Sequence, residues 1–176
     1  MTLYFLIACH NDAKPVIDYY GLKKDMAGGP FTIFTAHNVV LCLSGNGRAN
    51  AAAATAYVLS RWGRDGLFVH LSTLEKEEGV FYPHTITDRE ELVYQEMLYK
   101  PPSFVREGII EDGEGVYAFL SASKFLPLKQ IIILRAHNLA DEGILSWLET
   151  IHRALYPFGM MSFPISTWKK GHKITL

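Results

Sequence analysis

Several short polar clusters in this chain combine residue types that can do chemistry. They are His10-Asn11-Asp12, Gly45-Asn46-Gly47-Arg48, His70-Leu71-Ser72-Thr73, Glu111-Asp112-Gly113-Glu114-Gly115 and Arg135-Ala136-His137-Asn138. The second follows an apolar run and opens a helical pattern. A glycine turn in that place offers backbone N–H groups to an anionic or polar ligand, and Arg48 adds a cation. The same turn also reads as a packed strand–helix joint with no ligand. In the acidic cluster Asp112 suits a helix N-cap, with Glu114 favoured in the first turn by the helix dipole. Glycines on both sides of Glu114 are costly inside a helix. They fit a backbone that passes close to a ligand, leaving the carboxylate to accept hydrogen bonds from hydroxyls.

The familiar signatures for other chemistries are missing. Gly45-x-Gly47-x-x-Asn50 nearly matches the dinucleotide fingerprint, but asparagine replaces the third glycine and no acidic residue follows at the expected distance. GxxxxGK[ST], GxSxG, HExxH and CxxC are absent, so nothing points to a P-loop, a serine hydrolase or a bound metal, and no cofactor is expected. With 17 Lys and Arg against 18 Asp and Glu, no global charge selects nucleic acid or an anionic membrane. Cys9 and Cys42 both sit in apolar runs and are expected to be buried free thiols in a reducing, cytoplasmic compartment. The apolar run Leu3–Cys9 is too short for a membrane span.

The elements that must carry these clusters follow from periodicity. Strands are expected at Leu3–Cys9, Phe31–Thr35, Val39–Leu43, Leu67–Leu71 and Gln130–Ala136, with short ones at Val80–Tyr82 and Thr85–Thr87. Helices are expected from Asn11 or Asp12 to Tyr20, Ala49 to Trp62, Val116 to Phe125 and Asp141 to Leu155. Asp88 to Lys100 reads as a mixed, partly helical segment ended by Pro101-Pro102, and Tyr156–Leu176 has no assignment. Helices alternating with near-continuous apolar strands predict a single α/β domain over 1–176, in three layers. The polar clusters then gather at the carboxyl ends of the strands, the usual ligand position in such sheets. A polar ring of this composition can hold a sugar and a heterocycle.

The order of motifs adds a family. SGNGRANAAAA after a strand, EDGEG opening a helix and then IIILRAHNLAD on a strand resemble the purine nucleoside/uridine phosphorylase superfamily. The branch most resembled is that of methylthioadenosine/adenosylhomocysteine nucleosidases, with patterns SG[IM]GKxNAA, [DE]ME[GA]A and RA[IV]SDxAD. The resemblance spans Leu3 to about Leu155 and implies a phosphorylase-like fold, a mixed central sheet with helices on both faces. It implies that Glu114 binds ribose hydroxyls, with Asp112 beside the nucleoside. Ser72 or Thr73 would approach the sugar or a phosphate. Asp12, or a neighbour, would activate water, and Asn138 stands where the family carries the aspartate that protonates the leaving purine. His137 is the alternative acid, and Arg48 with Gly47 the candidate phosphate site.

The sequence departs from the family in three ways. Leu74-Glu75 replaces a Gly-Gly pair, the third motif is one residue short, and the chain is shorter between Thr87 and Gly108. The expected function is cleavage of a nucleoside's N-glycosidic bond, by phosphate or water, in a homo-oligomer. The alternatives are a relative that only binds a nucleoside or base, and a structural subunit of an oligomer.

Overall fold

A computed structural model of the chain describes residues 2–73, 79–137 and 142–155. The charge run 75–78, Asn138, Asp141 and the segment 156–176 lie outside the described residues.

The chain runs β1 (Thr2–Ile7), α1 (His10–Tyr20), β2 (Lys23–Lys24), β3 (Thr32–Ala36), β4 (Val39–Leu43) and α2 (Arg48–Trp62). It continues with β5 (Gly66–Thr73), β6 (Val80–Phe81), β7 (Thr85–Thr87), β8 (Leu92–Tyr94), β9 (Val105–Arg106), β10 (Ile109–Glu111) and α3 (Gly113–Ala122). A 3₁₀ turn at Leu128–Gln130 then leads to β11 (Ile131–Ala136) and α4 (Glu142–Leu155). Eight strands form one sheet in the order β2-β3-β4-β1-β5-β11-β6-β9, and β10-β7-β8 form a second. Strands β4, β1, β5 and β11 are parallel neighbours, whereas β3 and β6 pair antiparallel at either side of them. The sheet is therefore mixed.

Strand alternation divides the core in two. Leu3, Phe5, Ile7, Leu41, Val69, Leu71, Ile132 and Leu134 face α1 and α4. Tyr4, Leu6, Val40, Cys42, Phe68, Ile131 and Ile133 face α2 and α3. Both faces of the sheet are covered, which explains the near-continuous apolar strands. The result is a three-layer α/β fold. Ala51 and Ala54 are fully buried, and the small side chains of this run let α2 approach α3 as well as the sheet; Ser121 Oγ donates to the Ala52 carbonyl at 3.0 Å.

Several expectations change. Residues 88–100 hold no helix: Asp88 N–H bonds the Glu91 carbonyl at 2.8 Å, and β8 then runs back along β7. Leu92, Val93 and Tyr94 alternate out, in and out, a strand period that the charged residues around them mask. Cys9 is exposed, because β1 ends at Ile7 and Cys9 occupies the N-cap position of α1; Cys42 is buried. Neither Asn11 nor Asp12 caps that helix, and Asp12 lies inside its first turn. Helix α3 begins at Gly113 rather than Val116, so the acidic cluster is part of the helix start. Gln130 closes the 3₁₀ turn rather than opening β11. Among the described residues, no helix is long and apolar enough to cross a membrane.

Candidate active site

Strand β5 delivers its polar end to both faces of the sheet. Its side chains alternate, so Phe68, His70 and Ser72 point toward α3 while Val69, Leu71 and Thr73 point toward α1. Ser72 Oγ accordingly donates to Asp112 Oδ2 at 2.9 Å, and Thr73 Oγ1 donates to Asp12 Oδ2 at 3.0 Å. The sequence offers Ser72 and Thr73 as alternatives. The two hydroxyls instead serve two different carboxylates. Arg135, opposite Ser72 in β11, ties the ends of this region together by donating to the Thr73 carbonyl at 3.0 Å and the Glu111 carbonyl at 2.6 Å.

Asp112 is the N-cap of α3 and is almost fully buried. Its backbone is extended, and Oδ1 accepts the Gly115 N–H at 2.9 Å. The glycines around Glu114 have a packing reason. A Cβ on Gly115 would lie 2.6 Å from Asp112 Oδ2 and 3.0 Å from Ile133 Cγ2. A Cβ on Gly113 would lie 2.9 Å from Arg48 Nε. The close neighbours are side chains of this protein, where the sequence suggested a ligand. Asp112→Ala removes the cap and is expected to destabilise the fold by about 2 kcal/mol, with Asp112→Asn costing only a few tenths. Urea unfolding of the two variants measures the difference, and equal losses would mean that the cap contributes little.

Glu114 lies in the first turn of α3 and reaches the β4–α2 turn, where the Gly47 N–H donates to its Oε1 at 2.6 Å. That turn needs positive φ at Gly45 (74°) and Gly47 (100°), which glycine adopts without strain. Arg48, the first residue of α2, lies against Gly113 and pairs with Asp88 through Nη2 and Oδ1 at 2.5 Å. The Asp88 side chain is only 4% exposed, so this pair is shielded on its acidic side. The Arg48 charge is therefore already matched inside the protein, in the place where the sequence suggested a phosphate contact.

His70 is completely buried, and its Nε2 is 3.8 Å from Asp112 Oδ2. That spacing makes an ion pair only with an imidazolium. Burial lowers the His70 pKa from its usual value, against the opposing pull of Asp112 and Glu114, and the ring is neutral at pH 7. Burial also pushes the Cys42 thiol up to about 12, which leaves it without nucleophilic character at neutral pH.

The structure thus joins Asp12 to Thr73, Ser72 to Asp112, and Gly47 to Glu114, all at the carboxyl ends of β1, β4 and β5. His137 follows β11 and is exposed, its N–H bonded to the Gly79 carbonyl at 3.0 Å. Asn138 falls outside the described residues. Sequence reasoning missed Asp88, whose link to Arg48 spans 40 residues and leaves no local signal. It placed His70 in the polar ring but not in the core beside Asp112. The alternation of β5 was the available clue. No group of His, Cys, Asp and Glu among the described residues is arranged to hold a metal ion.

No family model matches the sequence, and no curated protein matches it. Solved structures do match in fold. The methylthioadenosine/adenosylhomocysteine nucleosidase of Neisseria meningitidis, in complex with methylthio-immucillin-A, aligns over 88% of this chain and 93% of its own, with a TM-score of 0.52 and 16% identity. A futalosine hydrolase mutant of Helicobacter pylori aligns over 86% of this chain and 96% of its own, with a TM-score of 0.59 and 12% identity. The methylthioadenosine nucleosidase of Arabidopsis thaliana covers 88% and 91%, at a TM-score of 0.57 and 14% identity. The chain has the phosphorylase-like α/β fold of these nucleosidases, as the resemblance of its motifs implied.

Proposed function

We propose that this protein cleaves the N-glycosidic bond of a purine nucleoside, with water as the nucleophile. The observation that carries the reading is Glu114. It stands at the start of α3 against a glycine turn, two residues after the Asp112 carboxylate that accepts from Ser72, at the ligand end of the sheet. A carboxylate there accepts hydrogen bonds from the ribose hydroxyls and favours the positive charge that develops on the sugar. In the reaction the bond from C1′ to the base breaks and its electron pair leaves with the base. The oxygen of water bonds to C1′, one water proton is lost and the base nitrogen gains one. Asp12, held by Thr73, is the proposed acceptor of the water proton. His137 or Asn138 is assigned to the leaving base. The Arg48–Asp88 pair favours water over phosphate, because an anion would have to compete with a buried carboxylate for the guanidinium.

A second reading, a protein that binds a nucleoside without cleaving it, is favoured by asparagine at 138 in place of the family's aspartate. A panel of purine and pyrimidine nucleosides, incubated with and without phosphate and assayed for free base, separates the readings. The expected result is base release from a purine nucleoside at a rate independent of phosphate. Thermal stabilisation by a nucleoside with no base released would support the binding-only reading and reject cleavage. Strict dependence on phosphate would reject water as the nucleophile.

A further inference from the structure

We propose that His70 is a positioning residue, a buried imidazole that withdraws the Asp112 carboxylate from Ser72 when it takes up a proton. Its consequence for a ligand rests on the nucleosidase reading, since Ser72 and Asp112 border the proposed sugar site; its geometry does not. His70 lies inside β5, in register with Leu6 of β1 and Ile133 of β11, on the face covered by α2 and α3. The ring is fully buried, no side chain among the described residues hydrogen-bonds either ring nitrogen, and the backbone of Leu6 is the polar group against it. A buried imidazole without a side-chain hydrogen bond is an uncommon occupant for a wall of Leu6, Phe68 and Ile133. It is aimed at the one carboxylate that both caps α3 and holds Ser72, at 3.8 Å from Oδ2.

The charged groups that act on it come from two other elements. Asp112 and Glu114 of α3 favour its protonation, Arg135 of β11 opposes it, and β1 contributes the backbone of Leu6. Desolvation outweighs the carboxylates, so the ring is neutral in the working state and Asp112 Oδ2 belongs to Ser72. An imidazolium in the same place is a stronger donor than a hydroxyl and forms a charge-assisted bond to Oδ2. Closing the 3.8 Å gap to the about 2.8 Å of such a bond draws Oδ2 about 1 Å toward the ring, and with that shift Ser72 loses its acceptor and its orientation. The cap on Gly115 uses the other oxygen, so α3 and Glu114 stay in place while the Ser72 hydroxyl turns free. The sign follows from the lowered pKa. The neutral arrangement is fully present above the ordinary histidine range and is lost as the pH falls through the folded-state value.

Two measurements on the full chain test this. In the first, ¹⁵N NMR of labelled imidazoles follows the ligand-free protein from pH 8 downward, for the wild type and for Asp112→Asn. The asparagine keeps the cap and removes the charge. His70 is expected to stay neutral below the ordinary histidine midpoint, to shift together with the Ser72 amide, and to titrate lower still in Asp112→Asn. Titration at the ordinary midpoint, or one indifferent to Asp112→Asn, overturns the proposal.

In the second, kcat/KM for the best nucleoside substrate is followed against pH. The wild type is expected to lose about tenfold per pH unit below the His70 midpoint, and His70→Gln to lose that limb while keeping its rate near pH 7. An acid limb unchanged in His70→Gln overturns the proposal. If no nucleoside is turned over, the nucleosidase reading fails, and the NMR titration still decides for or against His70. It does so too if His70→Gln does not fold.

Discussion

Replacing Glu114 by glutamine is expected to lower kcat/KM for nucleoside cleavage by about 100- to 1000-fold, the usual scale for removing one electrostatic contact to a transition state. Glutamine keeps the length of the side chain and an acceptor oxygen, so the Gly47 N–H retains its partner. The variant loses the negative charge. That charge matters little while the sugar is neutral and most when C1′ turns cationic, so kcat is expected to fall more than KM rises. The exchange also replaces charge-assisted bonds from ribose hydroxyls with neutral ones, about half as strong. Stability is expected to change by less than about 1 kcal/mol, because Glu114 sits at a partly open helix start where the dipole contributes on the order of 0.3–1 kcal/mol. Steady-state kinetics and thermal melting of the same preparation give both numbers. A variant that melts like the wild type and cleaves at the wild-type rate would remove Glu114 from the site. Nucleoside-induced stabilisation lost in the variant of a protein that releases no base would keep Glu114 as a binding residue and move the whole reading to the second alternative.

The parts of this site that were legible in the sequence are those whose signal is local. SGNGRAN, EDGEG and ILRAHN each lie at the junction of a strand and a following turn or helix, and a few residues suffice to state such a junction. The sheet, too, could be read from runs such as Ile131–Leu134, because burial on both faces leaves no polar position. What the sequence concealed is pairing at a distance. Nothing near Arg48 announces that Asp88 will take its charge, and nothing near Gly115 announces that Ile133 fills the space a Cβ would need. Cys9 misled for a related reason. It continues an apolar run by composition, yet the strand stops at Ile7, where β4 ends as its partner, and the thiol passes into solvent at the head of α1. Strand alternation alone separates Ser72 from Thr73, because adjacent strand residues face opposite sides of a sheet and so do not share one carboxylate.

Gln95 was the least legible residue and is expected to be the most costly to change. Strand β11 pairs with β5 along its whole length, but on its other side β6 reaches only Arg135 and Ala136. At Ile133 no strand among the described residues covers that side, and the Gln95 carboxamide stands in for one. Its Oε1 accepts the Ile133 N–H at 2.6 Å, and its Nε2 donates to the Ile133 carbonyl at 3.2 Å and the Pro83 carbonyl at 2.7 Å. Gln95→Leu keeps the volume and leaves these buried groups without partners, at about 1–3 kcal/mol for each. The expected loss is about 3–5 kcal/mol, a large share of the stability of an ordinary domain. The damage should also reach the site. Gln95 follows β8, and the β7–β8 turn carries Asp88, so a hairpin released from β11 loosens the partner of Arg48 and with it the turn that holds Glu114. Urea unfolding gives the first effect. Hydrogen exchange gives the second, read at the Ile133 amide for release of the hairpin and at the Gly47 amide for loosening of the site, with protection at both expected to fall in Gln95→Leu and that at Ile133 to survive in Glu114→Gln. A loss of only about 1 kcal/mol with the Ile133 amide still protected would mean that Ile86 and Val93 hold the hairpin against α3 without the carboxamide, and that Asp88 is positioned by apolar packing alone.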